Sequence, residues 1–241
     1  MLYNHTVARL TYRALLGRRR ALILCALPAL LLVIAVAVRA FAGVDDRAAT
    51  EILGGLALAT LVPLIGVIAG TGAIAPEIDD GSIVYLLSKP LNRRTIVTTK
   101  LFVAIGVSLA FTVVPILIAG IILNGNSQQI ATAFTVAAIV ASVAYSAVFL
   151  LLGTLSRNAV VLGLIYAMVW EALFGNLVPG ARVLSIQQWS LSLAERIAAD
   201  GADISSDVAL PTAMILLVVA TVLGTWYAGE RLRSLKVAGD D

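Results

Sequence analysis

Glu171 is the side chain best placed to do chemistry, being the only ionisable residue, terminal ones apart, inside a long apolar run of this chain. A carboxylate at membrane depth is costly unless it faces a cavity or a partner. Two roles fit it: a contact to substrate or gate, or a hydrogen bond tying the end of its span, near Trp170, Asn176 and Pro179, to another helix. Other reactive patterns are missing. The sequence has no Gly-Lys pair, hence no G-x-x-x-x-G-K-[ST] loop for nucleotide, and neither H-E-x-x-H nor G-x-S-x-G. With Cys25 its lone cysteine and His5 its lone histidine, it offers no disulfide framework and no thiolate or multi-histidine metal site. We expect no catalytic residue, cofactor or metal in this chain.

A second group of residues suggests mechanics rather than reaction. In Pro76 to Lys100, the residues Ile83, Leu86, Leu87 and Pro90 follow i, i+3, i+4, i+7 spacing, while Ser82, Tyr85, Ser88 and Lys89 point elsewhere. Asp79 and Asp80 at the start and Lys89 at the end match the helix dipole, and Pro90 stops the helix. A short amphipathic helix held between two membrane spans is a surface for a partner.

The elements that must position these residues are membrane helices. Hydrophobic residues fill 60% of 241 positions and charged ones 13%, against about 25% charged in a soluble domain. Mean hydropathy is +0.99, that of a polytopic membrane protein. Six apolar runs are each long enough for a hydrocarbon core: 21–41, 52–76, 101–123, 130–152, 159–178 and 208–229. All six should be helices, because backbone groups in lipid must pair within their own segment. Gly66-x-x-x-Gly70 permits close helix approach within the fold, and Pro28, Pro63 and Pro115 lie inside spans.

Lys and Arg distribute unevenly across the connections. An inside N-terminus puts thirteen of them on the cytoplasmic side and leaves Arg39, Arg47, Arg182 and Arg196 outside. Both termini are therefore expected in the cytoplasm. The run after Arg18-Arg19-Arg20, ending near Ala40-Phe41-Ala42, imitates a secretory signal, but it is longer than such signals and follows a long polar segment.

Two segments outside the spans read as helices. In residues 1–20, Leu2, Thr6, Leu10 and Ala14 form one row and His5, Arg9 and Arg13 a polar row beside it. That pattern suits an interfacial amphipathic helix, either a simple anchor or an element moved by a partner. In 179–207, Ile186, Trp189, Leu193 and Ile197 make an apolar stripe with Ser185 as N-cap and Gly201 as stop. A short helix resting on the outer face satisfies it, with Trp189 as a membrane-interface aromatic. The remaining segments are the cytoplasmic connection 77–100 and the tail 230–241. The fold class is thus all-α and polytopic, one transmembrane domain over 1–241.

At Glu77, Gly81-Ser82, Ile83 to Leu87, Pro90, Asn92-Arg93 and Lys100 the sequence resembles the ABC-2 family of ABC transporter permeases. The resemblance extends over nearly the whole chain; Asp79-Asp80, Lys89 and the short length depart from it. It implies a transport subunit without an engine of its own. Two permease copies, identical or related, would enclose a path in the cell membrane, with cytosolic ATPase subunits binding ATP and Mg beneath. The partner would clamp the coupling helix through Gly81, Ser82, Ile83, Leu86, Leu87, Lys89 and Pro90, with Glu77, Arg93 and Arg94 at the rim. A path lined by Leu, Val, Ala and a few hydroxyls suits hydrophobic or amphipathic cargo, and the family implies export. Nucleic acid is not an expected partner.

Two other classes remain open. An ion-coupled secondary carrier would place several ionisable groups at mid-membrane and pair its broken helices, whereas this chain has one carboxylate and no clear repeat. A non-catalytic scaffold or assembly factor needs no signature of its own.

Overall fold

The computed structural model describes residues 4–82, 92–174, 179–199 and 201–234. Every regular element among the described residues is helical, as an apolar backbone without water partners requires. In chain order these are α1 (His5–Leu15), α2 (Arg18–Ala42), α3 (Asp46–Glu51), a π-helical stretch (Ile52–Leu61), α4 (Val62–Gly72), α5 (Ala75–Asp79) and α6 (Arg93–Asn124). After a turn follow α7 (Ile130–Leu155), α8 (Ala159–Ile165), a second π-helical stretch (Tyr166–Phe174), α9 (Pro179–Arg182), α10 (Ile186–Ile197) and α11 (Leu210–Ser234).

Five rods are long and apolar enough to cross a membrane: Arg20–Ala42, Asp46–Asp79, Arg93–Asn124, Ser127–Leu155 and Leu210–Ser234. The run expected at 159–178 is instead a shorter apolar helix, Ala159–Glu171, and residues 175–178 lie outside the described ones. Two rods form the centre. The windows of Asp46–Asp79 and Ser127–Leu155 are each 61% buried, against 22%, 33% and 17% for the first, third and last rods, which flank them.

Small residues let the two central rods meet. A Cβ on Gly70 would lie 2.7 Å from Phe149 Cβ, and one on Gly66 2.9 Å from Tyr145 Cβ, so the Gly-x-x-x-Gly pair is an internal packing surface. Hydroxyls join α6 to α7 across the apolar interior: Ser108 Oγ lies 3.1 Å from Ser146 Oγ, and Thr112 Oγ1 2.9 Å from Ser142 Oγ. The first π stretch ends just before Pro63. A proline there has no N–H for the helical ladder and crowds the preceding turn, and winding the turn wider relieves both.

Helix ends differ from the expected boundaries in physically clear ways. The third rod starts at Arg93, so residues 93–100 of the connection assigned to 77–100 are helix, with Asn92 Oδ1 accepting from the Arg94 N–H at 3.0 Å as its cap. Helix α11 continues to Ser234, past the expected tail boundary at 230. In α1 the face against the bundle is Val7, Ala8, Thr11 and Leu15, while Leu10 is exposed. The Thr6–Leu10–Ala14 row therefore turns outward, since α1 carries apolar side chains on two sides and only one meets α6.

Candidate functional site

Two carboxylates organise the molecule, and each is set by the helices that converge on it. The first is Glu77, in the short α5 that follows the sharp turn at Ala73-Ile74. Its Oε1 receives the Lys100 ammonium at 2.6 Å. Lys100 is fully buried, and it also donates to the Ala73 carbonyl at 2.7 Å and meets Thr11 Oγ1 of α1 at 3.5 Å. One cation thus joins α1, the end of α4, α5 and α6. A buried ammonium is tolerated only when paired and hydrogen-bonded, which these partners accomplish. Nearby, the Asn4 N–H donates to Thr99 Oγ1 at 3.0 Å and Arg20 Nη1 to the Gly72 carbonyl at 3.3 Å. We call this the basic end of the bundle.

The other docking candidates surround that node. Gly81 has φ +74°, a left-handed conformation that lets the chain leave α5, and a Cβ there would meet nothing within 4 Å. The Ser82 side chain and N–H both donate to Asp80 and hold its carboxyl below the usual carboxylate range. Ile83, Leu86, Leu87, Lys89 and Pro90 lie outside the described residues. Arg93 and Arg94, expected at a partner's rim, clasp the last turn of α11. Arg93 Nη1 donates to the Leu232 and Arg233 carbonyls at 3.1 and 2.5 Å, and Arg94 Nη2 to Glu230 Oε1 at 3.1 Å. Cations at a helix C-terminus meet carbonyls that have no intrahelical donor. Arg9 and Arg13 are exposed on α1; Arg9, with His5, Tyr12 and Val103, lines a cavity of about 410 Å³ between α1 and α6.

The second carboxylate, Glu171, sits mid-bundle in the second π stretch and is fully buried. It accepts from Tyr166 Oη at 2.9 Å, Ser185 Oγ at 2.5 Å, the Ile186 N–H at 3.0 Å and the Gln187 N–H at 3.3 Å. Three of those donors belong to the start of α10, where free N–H groups and the helix dipole favour an anion. Ser185 also caps α10 by accepting from the Gln188 N–H at 3.3 Å. Of the two roles open to Glu171, tying its span to another helix is the one these contacts describe.

Glu171 draws α10 into the bundle. Rather than resting on an outer face, α10 packs between α7 and α11 with Ile186, Gln187, Gln188, Trp189 and Ser190 all buried. Trp189 is accordingly no interface aromatic: it is 7% exposed, and its Nε1 donates to the Val183 carbonyl at 2.7 Å. The Tyr145 hydroxyl is buried beside Glu171 and Gln187.

Lys100, which the sequence offered as part of the family pattern and as the end of the connection 77–100, proves to be the hub of a buried cluster. Its acceptors lie far away in the chain, so no local spacing marks it. Among the described residues no group of three His, Cys, Asp or Glu side chains could hold a metal ion. The contacts at the basic end join α1, α4, α5 and α6, and those at Glu171 join its π-helical stretch to the start of α10.

Comparison with known proteins agrees with a transport subunit. The family model described as ABC-2 family transporter protein matches residues 7–227. No curated protein matches the chain.

Proposed function

Because this chain belongs to the ABC-2 family of transporter proteins and carries several membrane-spanning helices, we propose that it is the permease subunit of an ATP-driven exporter. A separate cytosolic ATPase binds ATP and Mg and supplies the energy. Two permease copies, identical or related, enclose the path in the cell membrane. Ala159–Glu171, with its π-helical continuation, serves as a sixth crossing, and both termini face the cytoplasm, as the Lys and Arg distribution favours. The cargo is hydrophobic or amphipathic.

The observation that carries this reading is the Lys100 node. It stands at the foot of the amphipathic segment that the ATPase would grip, with Leu86 and Leu87 as apolar anchors and Gly81, Ser82, Ile83, Lys89 and Pro90 completing the surface. Glu77 lies on that segment's approach and is bonded to the cation that also holds α1. A pull on the segment therefore reaches α1, α4 and α6 together, as a rigid lever must. Arg93 and Arg94 hand the same motion to α11.

Purification in mild detergent with identification of the accompanying nucleotide-binding chain tests this. The native protein should bring an ATPase with it, and Leu86→Asp or Leu87→Asp should insert normally yet lose it. Cargo transport by the purified chain alone would end the proposal.

A further inference from the structure

The cavity of about 410 Å³ between α1 and α6 opens beside the basic end of the bundle. The α1 side of its described lining is His5, Ala8, Arg9 and Tyr12. Their i, i+3, i+4, i+7 spacing puts all four on one face of the helix. Ala8 is buried against the bundle, while His5, Arg9 and Tyr12 are exposed. Among the described residues, no hydrogen bond or ion pair engages those three side chains.

The chemistry of that face has one sense. A guanidinium, an imidazole and a phenol can each donate, and no acidic residue occurs in the chain before Asp45. The planar fork of Arg9 matches a pair of phosphate oxygens. Two contacts hold α1 in place for this: the Asn4 N–H donates to Thr99 Oγ1, and the Lys100 ammonium meets Thr11 Oγ1.

The α6 side of the cavity is Val103, which is half-buried. Gly106, Ala110, Val114 and Ile121 follow it at i+3, i+7, i+11 and i+18, hence on the same face of the rod, and all are exposed. A Cβ on Gly106 would meet nothing within 4 Å, so this face is open from its first turn. Arg93–Asn124 is long and apolar enough to cross a membrane, so the face lies in hydrocarbon. A free anion would use only the donors; a lipid would use the donors and the apolar track together.

We propose that this cavity binds the head group of an anionic phospholipid, its phosphate on Arg9, His5 and Tyr12 and an acyl chain along the Val103–Ile121 face of α6. The inference rests on a bilayer beside α1 and α6, and needs neither the ATPase nor a direction of transport.

Native mass spectrometry of the purified full chain in neutral detergent tests it, as dioleoyl phosphatidylglycerol or dioleoyl phosphatidylcholine is added. One saturable phosphatidylglycerol is expected, bound about tenfold tighter than phosphatidylcholine, whose choline cation would stand against Arg9. Arg9→Gln should weaken it about tenfold, and Arg9→Lys, which keeps the charge but loses the fork, about fourfold. Arg13 lies on the same helix outside the described lining, and Arg13→Gln should change the affinity by no more than about twofold. Equal losses in Arg9→Gln and Arg13→Gln would mean diffuse attraction to a basic surface and would overturn the proposal. So would equal affinity for the two lipids, or displacement of the bound lipid by inorganic phosphate, which would mark a site for the free anion. Should Arg9→Gln not fold, Arg9→Lys set against Arg13→Gln decides. Because no ATPase enters the measurement, a negative result leaves the permease reading intact, and loss of ATPase capture leaves this site intact.

Discussion

Glu77 and Glu171 are both carboxylates tied by short hydrogen bonds, yet they are held by different kinds of partner. Glu77 faces a single buried cation and keeps 28% of its side chain exposed. Glu171 is wholly buried and accepts from two hydroxyls and two backbone N–H groups. A pair made of two charges can be remade when another charge approaches its open side. A carboxylate saturated by neutral donors on a helix N-terminus offers no such opening. On the proposed reading, the contrast would give the basic end the moving part and leave Glu171 as a fixed point.

Removing the cation should have the largest effect. Lys100→Met leaves the Ala73 carbonyl and Glu77 without their donor, and loss of one partner from a buried pair costs about 3–5 kcal/mol. Thermal unfolding in detergent reads the loss. Adding Glu77→Gln to Lys100→Met should recover part of it; strictly additive losses would show that the two side chains do not act as a pair.

Glu171→Gln comes next, at about 2 kcal/mol, because an amide accepts at one oxygen only and turns an NH2 toward donors. The sharper reading is local. Hydrogen exchange should rise in the first turn of α10 while the basic end stays protected, and an unchanged first turn would remove Glu171 from its capping role.

The smallest change lies between the two sites. Ser108→Ala breaks one neutral rung to Ser146 and should cost only about 0.6 kcal/mol. A loss as large as that of Glu171→Gln would mean that neutral hydroxyl pairs here matter as much as a saturated carboxylate, which blurs the comparison.

What could be read in the chain beforehand follows the same physics. Long apolar runs declare themselves as helices because lipid permits nothing else, and Ser185 announces a cap through its place just ahead of an apolar stripe. Gly66 and Gly70 share a face by spacing alone. Lys100 could be read as part of a family pattern but its burial and partners could not, since its acceptors at Thr11, Ala73 and Glu77 come together only in the folded bundle. The buried state of Trp189 was equally hidden, because it depends on Glu171 capturing α10 from across the chain. The bundle-facing side of α1 went unread for a different reason: two apolar rows compete, and only the surface of α6 chooses between them. Wide helical winding at Ile52–Leu61 has no compositional mark beyond the proline that follows it.

The order of synthesis gives the two carboxylates different histories. Every acceptor for the Lys100 ammonium precedes it in the chain, so none of its bonds waits for residues made later. Glu171 emerges with only Tyr166 behind it and must wait for Ser185, Ile186 and Gln187. Nascent chains halted before residue 185 would carry every partner of the lysine and an acid still short of most of its donors.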